Sequence, residues 1–226
     1  MNSNSLRRAI FGLALSVTLA GGVAAAAADV DKVMGQGGLK KTSIKGLALA
    51  YVRPGATLAS YKRVMIDPVQ VAFDKNWDPE RAGGRIKMSK ERKEEIRVGV
   101  AQIVQDEYAK QLAKGNYQVV TEPGADVLRV KINLVDVFVN APDMSGPGRV
   151  KTYAPEAGHM TLISELSDSS SKQVLARVAD RREVGADRLQ MSTSGVNKED
   201  FREAAAVWAG MLREALDKAQ AGVGKK

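Results

Sequence analysis

The chain has 226 residues, 44% of them hydrophobic and 27% charged, which suits one compact soluble domain and excludes a disordered or polytopic membrane chain. It contains no cysteine and one histidine, His159, so disulfides, thiol nucleophiles, haem attachment and Cys/His zinc frameworks are excluded, and neither a metal nor a cofactor is expected. The formal net charge of +8 points to acidic partners.

Arg7 and Arg8 precede an uncharged stretch from Ala9 to Ala28 that ends in the alanine run Ala24 to Ala28. A positive start, an apolar middle and small residues at the end are the order of a secretory signal peptide, here residues 1–28, cut near Ala28. Export to the periplasm follows, with the protein at most peripheral to a membrane. Losing the two arginines and no acid takes the charge from +8 to +6. The absence of cysteine leaves the chain no lipid anchor at the cleavage point.

Residues 29–46 carry Gly35, Gly37 and Gly38 among lysines without a steady period and read as a flexible leader. A single mixed domain is expected over residues 47–221, with a tail at 222–226. Its first strand runs from Leu47 to Val52 and stops at Arg53-Pro54-Gly55. A second, Tyr61 to Phe73, contains Pro68, which cannot donate to a ladder and predicts an edge position or a bulge near Asp67. Ser89 offers an N-cap for a helix whose Ile96, Val100, Ile103, Val104, Tyr108 and Leu112 recur on one face until Gly115 closes it.

Tyr117 to Thr121 is a short strand, and Leu128, Val130, Ile132 and Leu134 alternate with polar residues in a longer, half-buried one. Met160 to Leu166 and Val174 to Asp180 flank a serine-rich turn and predict a hairpin. Asn197 is expected to cap a last helix with Phe201, Ala205, Trp208, Met211, Leu212, Ala215 and Leu216 on one side. The fold class is therefore α+β: a two-layer sandwich with a mixed, mostly antiparallel sheet and two main helices on one face. The polar alternation leaves the other sheet face partly wet.

Several segments, taken in order, resemble a known set: Tyr51-Val-Arg-Pro-Gly55, Tyr61-Lys-Arg-Val-Met-Ile-Asp-Pro-Val69, Tyr117-Gln-Val-Val120 with Glu122-Pro-Gly124, and Asp126-Val-Leu-Arg-Val130. They are similar to a bacterial family of signal-bearing lipoproteins, domain of unknown function 3313. The likeness continues through Leu162 to Asp168 and Val174 to Arg182. It implies an envelope protein of unassigned activity, with no family catalytic residues to carry over.

Asp67, Asp136, Asp168 and Asp180 lie in or beside strands, and two of them converging would permit an aspartate-dependent hydrolase. Structural roles in turns and ion pairs are the competing reading. His159, after Pro155 and Gly158, reads as a solvated loop residue. The long stretches Asp74 to Met88 and Ala141 to Gly158 are better candidates for contact with a partner. The first holds Trp77, Arg81, Arg85 and Lys87, and the second Arg149, Lys151 and Tyr153. Aromatic rings beside cations suit an envelope protein or an anionic envelope surface such as acidic lipid or cell-wall glycan. Nucleic acid does not fit an exported chain with 5% aromatics. The expected function is thus an exported accessory or interaction protein without turnover.

Overall fold

The structure, a computed structural model, describes residues 30–75, 77, 89–139, 158–184 and 194–223. Helix α1 (30–34) leads into strands β1 (Lys40–Thr42), β2 (Leu49–Val52), β3 (Arg63–Ile66) and β4 (Gln70–Phe73). Helix α2 (Lys90–Lys114) precedes β5 (Gln118–Val119), β6 (Val127–Val139), β7 (Gly158–Asp168) and β8 (Val174–Val184), and helix α3 (Ser194–Val223) follows. The strands form one sheet in the order β1-β2-β8-β7-β6-β3-β5, with β4 also on β6. Pairing is antiparallel from β1 through β2, β8 and β7 to β6, whereas β3 and β4 run parallel to β6 and β3 parallel to β5. This is the mixed, mostly antiparallel sheet of an α+β fold, with α2 and α3 packed on it.

Periodicity explains the two long helices. Ser89 Oγ accepts the Arg92 N–H at 3.2 Å, satisfying one of the donors that a helix start leaves open. Val100, Val104, Tyr108 and Leu112 are buried along one side, and Phe201, Ala205, Trp208, Leu212 and Leu216 answer them from α3. Between them and the sheet lie Val64, Leu128, Val130, Ile132, Leu134, Met160 and Leu162, all at 2% exposure or less. Gly115 follows the helix, but the left-handed residue there is Asn116 (φ 61). What requires glycine at 115 is space: a Cβ would stand 2.6 Å from the Tyr117 ring. The short strand expected over 117–121 is paired only at Gln118 and Val119, and α3 begins at Ser194 rather than at an Asn197 cap.

Pro68 acts as its chemistry demands. Ile66 faces Val130 and Gln70 faces Asn133, so three residues around the proline oppose two on β6. The chain bulges there and resumes its pairing as β4, while the Asp67 N–H still reaches the Val130 carbonyl at 2.9 Å.

Residues 30–46 correct the flexible leader. Helix α1 and β1 lie within this stretch, and Val30, Met34 and Leu39 pack on Tyr51 and Ala179 in a second, smaller core. Gly37 and Gly38 (φ 79 and 82) supply the left-handed turn that brings α1 back along the sheet, a geometry that reads as linker composition in sequence. Two arginines fasten it. Arg53 donates to the carbonyls of Gly37 (2.9 Å) and Val174 (2.7 Å), and Arg177 donates to that of Gln36 (2.9 Å). The C-terminal boundary also moves, since α3 continues through Val223.

Candidate functional site

Three of the four aspartates singled out above serve the fold. Asp67 pairs with Arg129 at 2.9 Å, and Asp168 closes the β7–β8 turn. Asp180, with no exposure, accepts the Trp208 indole N–H at 2.8 Å and lies 3.2 Å from Arg182, tying β8 to α3. None of these three converges on another. The remaining one, Asp136, does meet a second carboxyl, and that carboxyl is Asp74.

The convergence comes from a bulge. Val135 faces Thr161 and Phe138 faces His159, so β6 carries one residue more than β7 at this point, and the same extra residue separates Val71/Leu134 from Phe73/Val137 on the β4 side. Asp136 sits there with φ 54, a left-handed conformation that short polar side chains tolerate. Its carboxylate accepts from the Arg181 guanidinium on β8 and hydrogen-bonds the carboxyl of Asp74, which follows β4. Burial, reinforced by that bond to Asp74, pushes the Asp136 carboxyl up to about 6 against the pull of Arg181.

His159 belongs to the same cluster, which corrects the solvated-loop reading. It lies on β7, half-buried, its ring stacked on Phe138 with centroids 5.2 Å apart. Burial, with Arg181 nearby, pushes the imidazole down to about 4, so it is neutral at pH 7 with a free lone pair. Gly158 before it is required by close approach, because a Cβ would stand 2.0 Å from the Phe138 carbonyl oxygen. One oxygen or nitrogen from each of Asp74, Asp136 and His159 lies within 4.8 Å of the others. Such a set can hold a proton between carboxylates or coordinate a cation.

The bulge had a signature in the sequence. Apolar residues occupy even positions from Leu128 to Leu134 and odd ones at Val135, Val137 and Val139, a slip of phase that marks one inserted residue. Asp74 and His159 had no such signal, because three separate segments meet only through the strand register.

The described residues flanking the two long stretches are neighbours. Phe73 pairs with Val137, Val139 with Gly158, and Gly158 with Val184, so the segments after β4, between β6 and β7, and after β8 all leave the same end of the sheet. The Asp74/Asp136/His159 cluster lies at that end. Arg81, Arg85, Lys87, Arg149, Lys151 and Tyr153 lie outside the described residues. Trp77 is described and is not a surface ring: it is 7% exposed, stacks on Phe73 at 4.1 Å and donates its indole N–H to the Val139 carbonyl at 2.8 Å. Its spacing of four from Phe73 brings the two rings together, so the aromatic anchors the start of the segment instead of offering itself to a partner.

Elsewhere, an apolar cavity of about 170 Å³ lies between α3 and the sheet, bordered by Leu58, Leu166, Val178, Trp208 and Met211. Among the described residues, no carboxylate, imidazole, amine or guanidinium lines it. Among the described residues, no helix is long and apolar enough to cross a membrane.

Comparison with known proteins gives a family. The family described as "Protein of unknown function (DUF3313)" matches residues 34–212, and the chain belongs to it. No curated protein matches. Among solved structures, the chain is similar to a Xanthomonas campestris protein of family DUF330 (11% identity, 76% of this chain and 94% of that one, TM-score 0.41). It is also similar to the PelC dodecamer from Paraburkholderia phytofirmans (14%, 79% and 95%, TM-score 0.36). A third is a DUF4136 family protein from Bacteroides thetaiotaomicron (10%, 74% and 95%, TM-score 0.37).

Proposed function

We propose that this member of the DUF3313 family is exported to the bacterial envelope and acts there as a non-enzymatic accessory protein, binding an envelope protein at the end of the sheet from which its long segments leave. The observation that carries the reading is the adjacency of Phe73, Val139, Gly158 and Val184. Through it, the segment holding Arg81, Arg85 and Lys87 and the segment holding Arg149, Lys151 and Tyr153 start from one place. Basic segments that start from one place suit an acidic partner, which opposite charge attracts and orients. The signal-like residues 1–28 and the absence of cysteine support a mature chain that is free in the periplasm or peripheral to a membrane.

The test is affinity recovery of the protein from its own envelope at low and high salt, with mass spectrometry of what is retained. One protein partner that survives high salt, and whose recovery falls in the Arg81→Ala/Arg85→Ala/Lys87→Ala variant at unchanged melting temperature, is the expected result. Retention of acidic lipid or glycan at low salt alone, lost at high salt, would replace the protein partner with an electrostatic surface. Undiminished recovery by the variant would remove the basic segment from the interface.

A further inference from the structure

Two polar atoms at the Asp136 bulge are left without a partner. The Nε2 of His159 and the Oγ1 of Thr161 are both buried with no hydrogen-bond partner among the described residues. Thr161 has no exposure at all. It stands two residues along β7 from His159 and therefore on the same sheet face, and in register it lies between Val135, next to Asp136, and Arg181, bonded to Asp136. A native interior rarely leaves one such atom unpaired, because each forfeits its hydration for nothing. Two of them beside the same pair of carboxylates leave a place for a ligand that takes up the Nε2 lone pair.

A cation meets that requirement. A transition ion holds nitrogen and oxygen ligands at about 2.0–2.2 Å, so two donors on one ion stand at most about 4.4 Å apart, and about 3.3–3.6 Å in a tetrahedral shell. The donor atoms of Asp74, Asp136 and His159, within 4.8 Å of one another, are already spaced close to such a shell. Among the described residues, the charged groups facing the spot are the two carboxylates and the Arg181 guanidinium. Arg181 bonds Oδ2 of Asp136 and Asp74 bonds the same carboxyl, so an ion would take the place of the proton that the two carboxyls share. An imidazole with two carboxylates favours zinc, manganese, iron or cobalt over calcium and magnesium, which prefer oxygen alone.

We propose that Asp74, Asp136 and His159 coordinate one divalent first-row transition ion, with the Thr161 hydroxyl or water completing its shell. The ion ties β4, β6 and β7 together beneath the departing segments. Its existence does not depend on the accessory role.

The test titrates Zn²⁺ into chelator-treated protein by calorimetry and follows Co²⁺ by its visible ligand-field bands. One ion per chain is expected, with binding weakened at least about tenfold in both Asp74→Asn and His159→Asn. Metal-free melting curves establish that each variant is folded. Should His159→Asn fail that control, Asp74→Asn, changed in a half-buried carboxylate just after a strand, decides alone. Absence of Zn²⁺ heat and of a Co²⁺ spectrum overturns the site. Binding that is undiminished in the folded variants puts the ion elsewhere and overturns it equally.

Discussion

Asp168 shows how one carboxylate can hold a turn. Its Oδ1 accepts the backbone N–H groups of Ser170 (3.1 Å) and Ser171 (2.6 Å), and its Oδ2 accepts the Tyr61 hydroxyl at 3.0 Å. The Ser171 N–H chiefly, with that residue's hydroxyl and Tyr61, holds the carboxyl below its ordinary range, while burial and the same bond push the Tyr61 phenol up to about 12. In the unfolded chain the carboxyl returns to about 3.9, so on acidification the unfolded state takes up the proton first. The stability that Asp168 contributes is therefore complete above about pH 4 and is lost as pH falls through the folded value. Asp168→Asn should cost about 1–2 kcal/mol at pH 7 and progressively less below pH 4, as urea unfolding at the two pH values will measure. At this scale the sequence was informative where a residue acts on near neighbours, as Asp168 and Ser89 do. It was silent about Asp74 and Asp136, whose partnership exists only after β4 and β6 have paired.

Among the elements, the most legible were those whose apolar residues repeat with the period of the structure. The buried faces of α2 and α3 contain Val100, Val104, Tyr108 and Leu112, and Phe201, Ala205, Trp208 and Leu216, as helical spacing requires. The edge of β6 was less so, because Pro68 interrupts the strand that pairs with it, yet the interruption itself was readable as a bulge. Trp77 was misread since an aromatic in a long polar stretch gives no sign of which surface it will find. In the structure it clamps β4 to the end of β6. Trp77→Phe keeps the stack on Phe73 but abandons the Val139 carbonyl and should cost about 1–3 kcal/mol. Trp77→Ala should cost about 3–5 kcal/mol. Denaturant midpoints for the two variants separate the hydrogen bond from the packing.

For the molecule as a whole, the α+β class and the strand-helix-strand unit of β3, α2 and β5 followed from element order, while the extent of the domain did not. Glycine-rich composition concealed that α1 covers the sheet face opposite the long helices around Tyr51 and Ala179, and that β1 adds an edge strand beside β2. Removing residues 30–38 should uncover Tyr51, which is 3% exposed in the intact fold, and deprive Arg53 and Arg177 of the Gly37 and Gln36 carbonyls. A lower melting temperature and increased binding of a dye specific for apolar surface are expected.

The pairing of β2 with β8, in which Ala50 meets Val178, also governs the order in which the protein can assemble. A ribosome delivers β1 and β2 early, but their place in the sheet does not exist until nearly the whole chain has been made. The hairpin of β7 and β8 can close locally as soon as it emerges, whereas the opening strands must wait for a distant neighbour and pay the entropy of closing that long loop. The two opening strands thus stay unpaired with the rest of the sheet until β8 has been made.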